Sequence, residues 1–188
     1  PGFSRKDIDL PRAEATCRAQ LKLEPLSART TFHLGRVLYY QGKGKEALPW
    51  LEKSAAMGYR QALFVTGFVL FDGGQLPHDD CHTLDLWQKA LALEHPWTGA
   101  YLVDAYLDGR FDKCGLKLSD EQMQRYAALT TSHIPYGESE GRMEKVSRRL
   151  EERAKAAGST STASAQAAEV ITPFDPKKYS QKVTECDR

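Results

Sequence analysis

Three short stretches carry residue types that could do chemistry. Gly137-Glu138-Ser139-Glu140-Gly141 spells G-x-S-x-G. That string presents a nucleophilic serine when a buried strand delivers it to a sharp turn. Here Ile134-Pro135-Tyr136 comes before it and a charged helical stretch comes after, so it reads as a glycine-rich turn. His78-Asp79-Asp80-Cys81-His82 is a dense run of potential metal ligands. A metal site needs three or four ligands converging from separate elements, and neighbours in one loop cannot all point inward. Asp80 reads instead as a helix cap, with Asp79 near the favourable end of the helix dipole. Gly42-Lys43-Gly44-Lys45 lacks the earlier glycine and the following Ser or Thr of a phosphate loop, so it reads as a turn. No catalytic residue, metal or cofactor is expected from these stretches, and a small hydrolase using His and Asp residues ranks last among the functional readings.

The four cysteines are Cys17, Cys81, Cys114 and Cys186. They form no C-x-x-C, which argues against zinc-ribbon and thioredoxin-type sites, and they allow three pairings. Cys81 opens a predicted helix and Cys114 follows the end of the next one. If those two helices are antiparallel, both cysteines lie at the same end, and a Cys81–Cys114 bridge is expected. Cys17 and Cys186 then remain as a pair that would tie the two ends of the chain together. Bridges imply an oxidising compartment, periplasmic or secreted. Four free thiols in a cytoplasmic protein is the alternative.

Composition bounds the rest. The chain has 188 residues with 26 basic and 25 acidic side chains, which argues against a strongly basic nucleic-acid binder. Hydrophobic residues at 41% and charged residues at 27% are ordinary for a globular domain able to bury a core. No apolar run reaches the roughly 18 residues of a membrane span, so no membrane insertion is expected. Asn is absent, which removes N-glycosylation, and Ile occurs only at Ile8, Ile134 and Ile171. Both scarcities fit a GC-rich, bacterial genome. The start at Pro1-Gly2 reads as a trimmed or processed chain whose leader could have been removed.

The elements that must position any site are helical. From Ala13 to Tyr106 apolar residues recur at three- and four-residue spacing, with no sustained period-two alternation. Asp9 and Pro11 open a first helix that runs to Glu24. Ser27 caps a second, to Tyr40, which Gly42 and Gly44 break. A third covers Glu46 to Met57 and a fourth Arg60 to Phe71. Asp80 caps a fifth, to Glu94, and Pro96 opens a sixth, to Leu107. Ser119 or Asp120 caps a seventh through Met123, Tyr126 and Leu129. Pro135, Gly137 and Gly141 mark a loop. Met143, Val146, Leu150, Ala154 and Ala157 then form the stripe of a narrow-faced, mostly solvated helix with Glu144–Arg148 and Glu151–Lys155 pairs. Gly158 to Ala168 reads as a flexible linker. Val170, Ile171, Phe174 and Tyr179 restore apolar character, and an extended tail folding back onto the helices is expected.

The helices also repeat. Aligning Trp50 with Trp87, an offset of 37, overlays Gly58 on His95, Phe64 on Tyr101 and Gly67 on Asp104. Gly35 to Gly67 is 32. Such periods belong to stacked helix pairs. Leu34-Gly35, Gly42, Ala47, Leu51 and Ser54 sit at tetratricopeptide spacing. Asp80, Leu84, Trp87 and Ala92 sit at the longer Sel1-like spacing, as do Trp50, Lys53, Ala55, Gly58 and Ala62. Residues 10–110 thus resemble tetratricopeptide and Sel1-like repeats. Asp104 departs from the pattern, where glycine is expected.

The resemblance implies a concave face lined by the first helix of each pair. Carried over, its positions are Arg29, Phe32, Arg36 and Tyr39, then Gln61, Phe64, Phe68 and Phe71, then Thr98, Tyr101, Ala105 and Asp108. An aromatic wall with two arginines suits an extended peptide bearing an acidic group. Several of these rings packing between helices is the plainer reading. The expectation is an all-α fold: a short α-solenoid of stacked antiparallel helix pairs with capping helices over residues 1–157, then a linker and extended tail over 158–188. Trp50 and Trp87 are expected in equivalent packing sites. The implied function is a non-enzymatic adaptor or regulator that binds a protein or peptide partner, or its own C-terminal tail. An accessory domain of a larger envelope or secretion assembly, or of a multidomain enzyme, is the alternative.

Overall fold

The structure, a computed structural model, describes residues 8–131, 138–156 and Cys186. The expectations for the linker and for the apolar residues of the tail lie outside these residues. The described residues form eight α-helices and no strand. These are α1 (Leu10–Leu23), α2 (Ala28–Tyr40), α3 (Gly44–Ala56), α4 (Arg60–Asp72), α5 (Asp80–Ala92), α6 (Thr98–Leu107), α7 (Asp120–Thr131) and α8 (Glu138–Ala156). A short 3-10 turn covers Asp112–Cys114. Each helix packs against its neighbour in the chain, and α6 also packs against α8. No described helix is long and apolar enough to cross a membrane.

Local chemistry sets the boundaries. Asp9 accepts from the Arg12 amide at 3.1 Å and Ser27 from the Thr30 amide at 3.3 Å, each satisfying a donor that the helix start leaves open. Ser119 and Gln122 exchange side-chain and backbone bonds at 3.1 and 2.9 Å, a capping box that starts α7. Gly42 ends α2 at φ +80° and Gly109 follows α6 at φ +73°, conformations costly for other residues.

Several boundaries differ from the sequence reading. The cap of α5 is Asp79, which accepts from the His82 amide at 3.0 Å, and Asp80 is the first helical residue. Two adjacent acids are equally good caps by type, and the backbone chose the first. Gly44 begins α3 where a break was expected, and a Cβ there would stand 2.7 Å from Gln75 Cβ, so the glycine serves close packing. α6 starts at Thr98, two residues past Pro96. Gly141 lies inside α8, where a loop was expected.

The tryptophans are not equivalent. Trp87 is fully buried and donates Nε1–H to the Phe64 carbonyl at 3.1 Å. Trp50 is half-buried, with Arg18 and Lys53 over its ring at 6.0 and 5.7 Å. The contact that Trp87 makes with a glycine on α4 is matched by Leu51 with a glycine on α2. A Cβ on Gly35 would meet Leu51 at 2.8 Å, and one on Gly67 would meet Trp87 at 2.5 Å. The helix ends confirm this register. Gly58 and Glu94 both take positive φ, +76° and +54°. The following amides, of Tyr59 and His95, both bond the carbonyl five residues back. These like contacts and like ends thus recur 36 residues apart between α3 and α5, where the sequence alignment used 37.

The core is one large cluster along α3–α6 with Trp87 and Phe64 at its centre. Two smaller ones flank it. One joins Cys17, Leu34, Leu38, Ala47 and Cys186. The other joins Val103, Met123, Ala127 and Val146, so α8 is docked through an apolar face as well as solvated.

Candidate functional site

The positions carried over onto α2, α4 and α6 divide by burial. Phe32, Phe64 and Tyr101 are buried, while Arg29, Arg36, Tyr39, Phe68 and Phe71 stay half-exposed. Phe64 is the hub of an aromatic cluster. Its ring centroid lies 4.4 Å from His95, 5.2 Å from Tyr101, 6.0 Å from Trp97 and 6.3 Å from both Phe68 and Trp87. Such offset and edge-on pairs add about 0.5–1.5 kcal/mol each beyond burial. Phe68 also meets Tyr101 edge-on at 5.8 Å. The rings of α4 and α6 therefore join these two helices directly, and Phe68 leaves part of its surface outside.

His95 is held in this core by two neutral partners. Its Nε2 is 3.1 Å from Gln61 Oε1 and its Nδ1 2.9 Å from Thr98 Oγ1. Gln61 and Thr98, both expected on the groove, are thus spent on positioning the imidazole. Ala105 is buried, and Asp108 is exposed beside Arg149 at 2.7 Å.

Arg36 is built differently. Phe32, Arg36 and Tyr40 are four apart, so they share one face of α2. The Arg36 guanidinium carbon sits 5.6 Å from both ring centroids. Among the described residues no carboxylate lies within ion-pair distance of it. Several other arginines are committed to carboxylates. Arg18 bonds Glu14 and Glu46, Arg110 bonds Asp80, and Arg153 bonds Asp120. Hydrogen bonds to Asp80 hold the Arg110 guanidinium above its ordinary range, and bonds to Glu14 do the same for Arg18. Arg36 thus keeps hydrogen-bonding capacity that the packed rings hold in place.

The residues flagged for metal or nucleophilic chemistry are dispersed. Asp79 caps α5, and Asp80 takes Arg110 at 2.6 Å. Cys81 is bridged to Cys114. His78 Nδ1 is 2.8 Å from the Phe71 carbonyl, and His82 Nε2 is 3.4 Å from Glu52. No described group of three or more His, Cys, Asp or Glu is arranged to hold a metal ion. Ser139 lies in the first turn of α8. Lys43 bonds Glu14 at 3.1 Å. The structure joins Cys81 to Cys114, with Cα atoms 5.3 Å apart, and Cys17 to Cys186, 5.0 Å apart. Such bonds persist in oxidising surroundings.

One polar centre escaped the sequence reading. Asp104 is 3% exposed and receives Arg142 at 2.6 Å, Lys145 at 2.8 Å and Arg149 at 3.0 Å. Arg142 also covers the Tyr101 ring at 4.1 Å. The three cations lie one α8 turn apart, and Asp104 and Asp108 one α6 turn apart, which is the signal that was available. No protein family matches the chain, and no curated protein matches it.

Proposed function

We propose that the chain is a non-enzymatic interaction module, a short α-solenoid of antiparallel helix pairs of the tetratricopeptide or Sel1-like kind, that holds a peptide or protein segment against the half-exposed face of α2 and α4. Support for the repeat comes from recurring contacts. Gly35 faces Leu51 as Gly67 faces Trp87, and Gly58 and Glu94 end their helices alike. The observation that carries the binding role is Arg36, pinned between Phe32 and Tyr40 with no described acidic partner. A cation fixed against rings on α2, with Phe68 half-exposed on α4, suits a carboxylate followed by an apolar side chain. The two disulfides favour an extracytoplasmic site of action, periplasmic or secreted.

The test is selection of a random peptide-display library on the full chain in non-reducing buffer. Selected peptides are then measured by fluorescence anisotropy against the parent and Arg36→Gln. Charge-assisted hydrogen bonds contribute about 1.5–3 kcal/mol, so the variant should bind acidic peptides about 10- to 100-fold more weakly. A selection that yields no binder, or binders indifferent to Arg36→Gln, overturns this reading.

A further inference from the structure

The two bridges differ in what they hold and in who can reach them. Cys81 is exposed and Cys114 half-buried, and their bond closes a separation of 33 residues within well-packed helices. Cys17 is 0% exposed and Cys186 6%, and theirs closes a separation of 169. α1 has little else to hold it. Cys17 is its only buried residue. Its other ties include half-buried contacts along α2 and Leu21, Arg18 over the Trp50 ring, ion pairs of Arg18 with Glu46 and of Glu14 with Lys43, and a bond from Gln41 to the Leu10 carbonyl. Exposed ion pairs of this type add little. Beneath α1 and Cys186 lie Leu34, Leu38 and Ala47, each 0% exposed.

We propose that Cys17–Cys186 is a redox-controlled latch on α1. Its reduction by a dithiol frees α1 and uncovers the apolar face of Leu34, Leu38 and Ala47. Cys81–Cys114 is the outer bridge, cut first and with the helix stack in place. In each step a thiolate of the reductant attacks one sulfur and the other leaves as a thiolate. The second thiol of the reductant then resolves the mixed disulfide. Two electrons pass to the cysteine pair, which takes up two protons, and the dithiol becomes a cyclic disulfide. The order follows from access, since the attacking thiolate must approach along the S–S axis. The exposed Cys81 admits a reductant in the folded state, whereas the buried Cys17 and Cys186 admit one only after local opening over Leu34, Leu38 and Ala47. This latch stands independently of the peptide-binding proposal, because its readouts involve no partner.

The experiment treats the full chain with dithiothreitol, quenches it by alkylation at intervals, and maps the labelled cysteines by mass. Amide exchange and binding of a hydrophobic fluorescent dye are followed in parallel. Cys81 and Cys114 should be labelled first, by about tenfold or more in time given their access. Dye binding and fast exchange in α1 should rise only with Cys17 and Cys186 labelling. The Cys81→Ser/Cys114→Ser double variant isolates the inner bridge and should show the same late step. Asp9→Ala removes the cap of α1 and should speed labelling of Cys17 and Cys186 by about 3- to 10-fold, leaving Cys81 and Cys114 unchanged. Equal rates for both bridges, inner reduction without dye binding or α1 exchange, or indifference to Asp9→Ala would each overturn the latch.

Discussion

Asp104→Asn is the substitution that tests most directly how α8 is held. The change keeps the shape of the side chain and removes its charge. The parent carboxylate is 3% exposed and collects three cations within 3.0 Å. Breaking one partner of a buried ion pair costs about 3–5 kcal/mol, mostly because the remaining charge is stranded. Arg142 and Arg149 are about a quarter exposed and Lys145 is 44% exposed, so water recovers part of that loss. Asp108 also keeps Arg149 at 2.7 Å. Weighing burial against this relief gives about 2–3 kcal/mol, well above the 0–1 kcal/mol of a surface pair. For a chain of this size, a melting-temperature loss of about 5–10 °C follows. Circular dichroism supplies the melt. Amide exchange locates the loss, which should fall on α8 and its contacts on α6 and α7, with α2–α5 unchanged. Asp108→Asn, 45% exposed in the parent, is the control and should cost less than about 1 kcal/mol. An Asp104→Asn protein that melts within about 2 °C of the parent would refute the reasoning, because the cluster would then behave as a surface pair.

Three further outcomes are expected. Trp87→Ala should cost about 3–5 kcal/mol in chemical denaturation, whereas half-buried Trp50→Ala should cost about 1 kcal/mol; equal costs would contradict the register drawn here. Glu94→Gly should raise stability by about 0.5–1 kcal/mol, since an exposed Glu at φ +54° gives way to a residue free to adopt it; a loss of stability would show that Glu94 has another role. Hydrogen bonding from Arg18 holds the Glu14 carboxyl below its ordinary 4.5, so the stabilisation is present above that value and is lost as pH falls through the lowered one. Protection factors of the α1 amides, corrected for the intrinsic pH dependence of exchange, should therefore fall in acid, and Glu14→Gln should remove that part of the response.

Caps and breakers made most of α1–α6 legible in the sequence. Asp9, Ser27 and Gly73 do locally what their types predict. The internal register slipped by one residue for a physical reason. Tryptophan is the most distinctive letter and draws an alignment to itself, yet the ring that fills the layer in one pair is replaced by Leu51 in the other. The decisive marker is the left-handed residue that ends α3 and α5. It is glycine at 58 and glutamate at 94, so the second instance is invisible by type. The same slip placed Tyr101 opposite Phe64, and the two rings turn out to be partners at 5.2 Å.

Charge on α8 was legible, but its destination was not. Sequence spacing shows which side chains share a face and is silent on which distant group that face meets. The glutamates of α8 made Glu144–Arg148 and Glu151–Lys155 the economical reading, while its described ion pairs to α6 use three other cations, Arg142, Lys145 and Arg149. The clue lay in an acid inside an apolar helix. α6 carries Asp104 in a buried position among apolar neighbours in sequence. A buried acid needs cations, and a chain that places one in a helix must supply them from elsewhere. Of the later helices only α8 carries basic residues at 142, 145 and 149, spaced to present three cations on one face. Asp104 therefore marks where apolar packing between α6 and its neighbours gives way to an ionic seat.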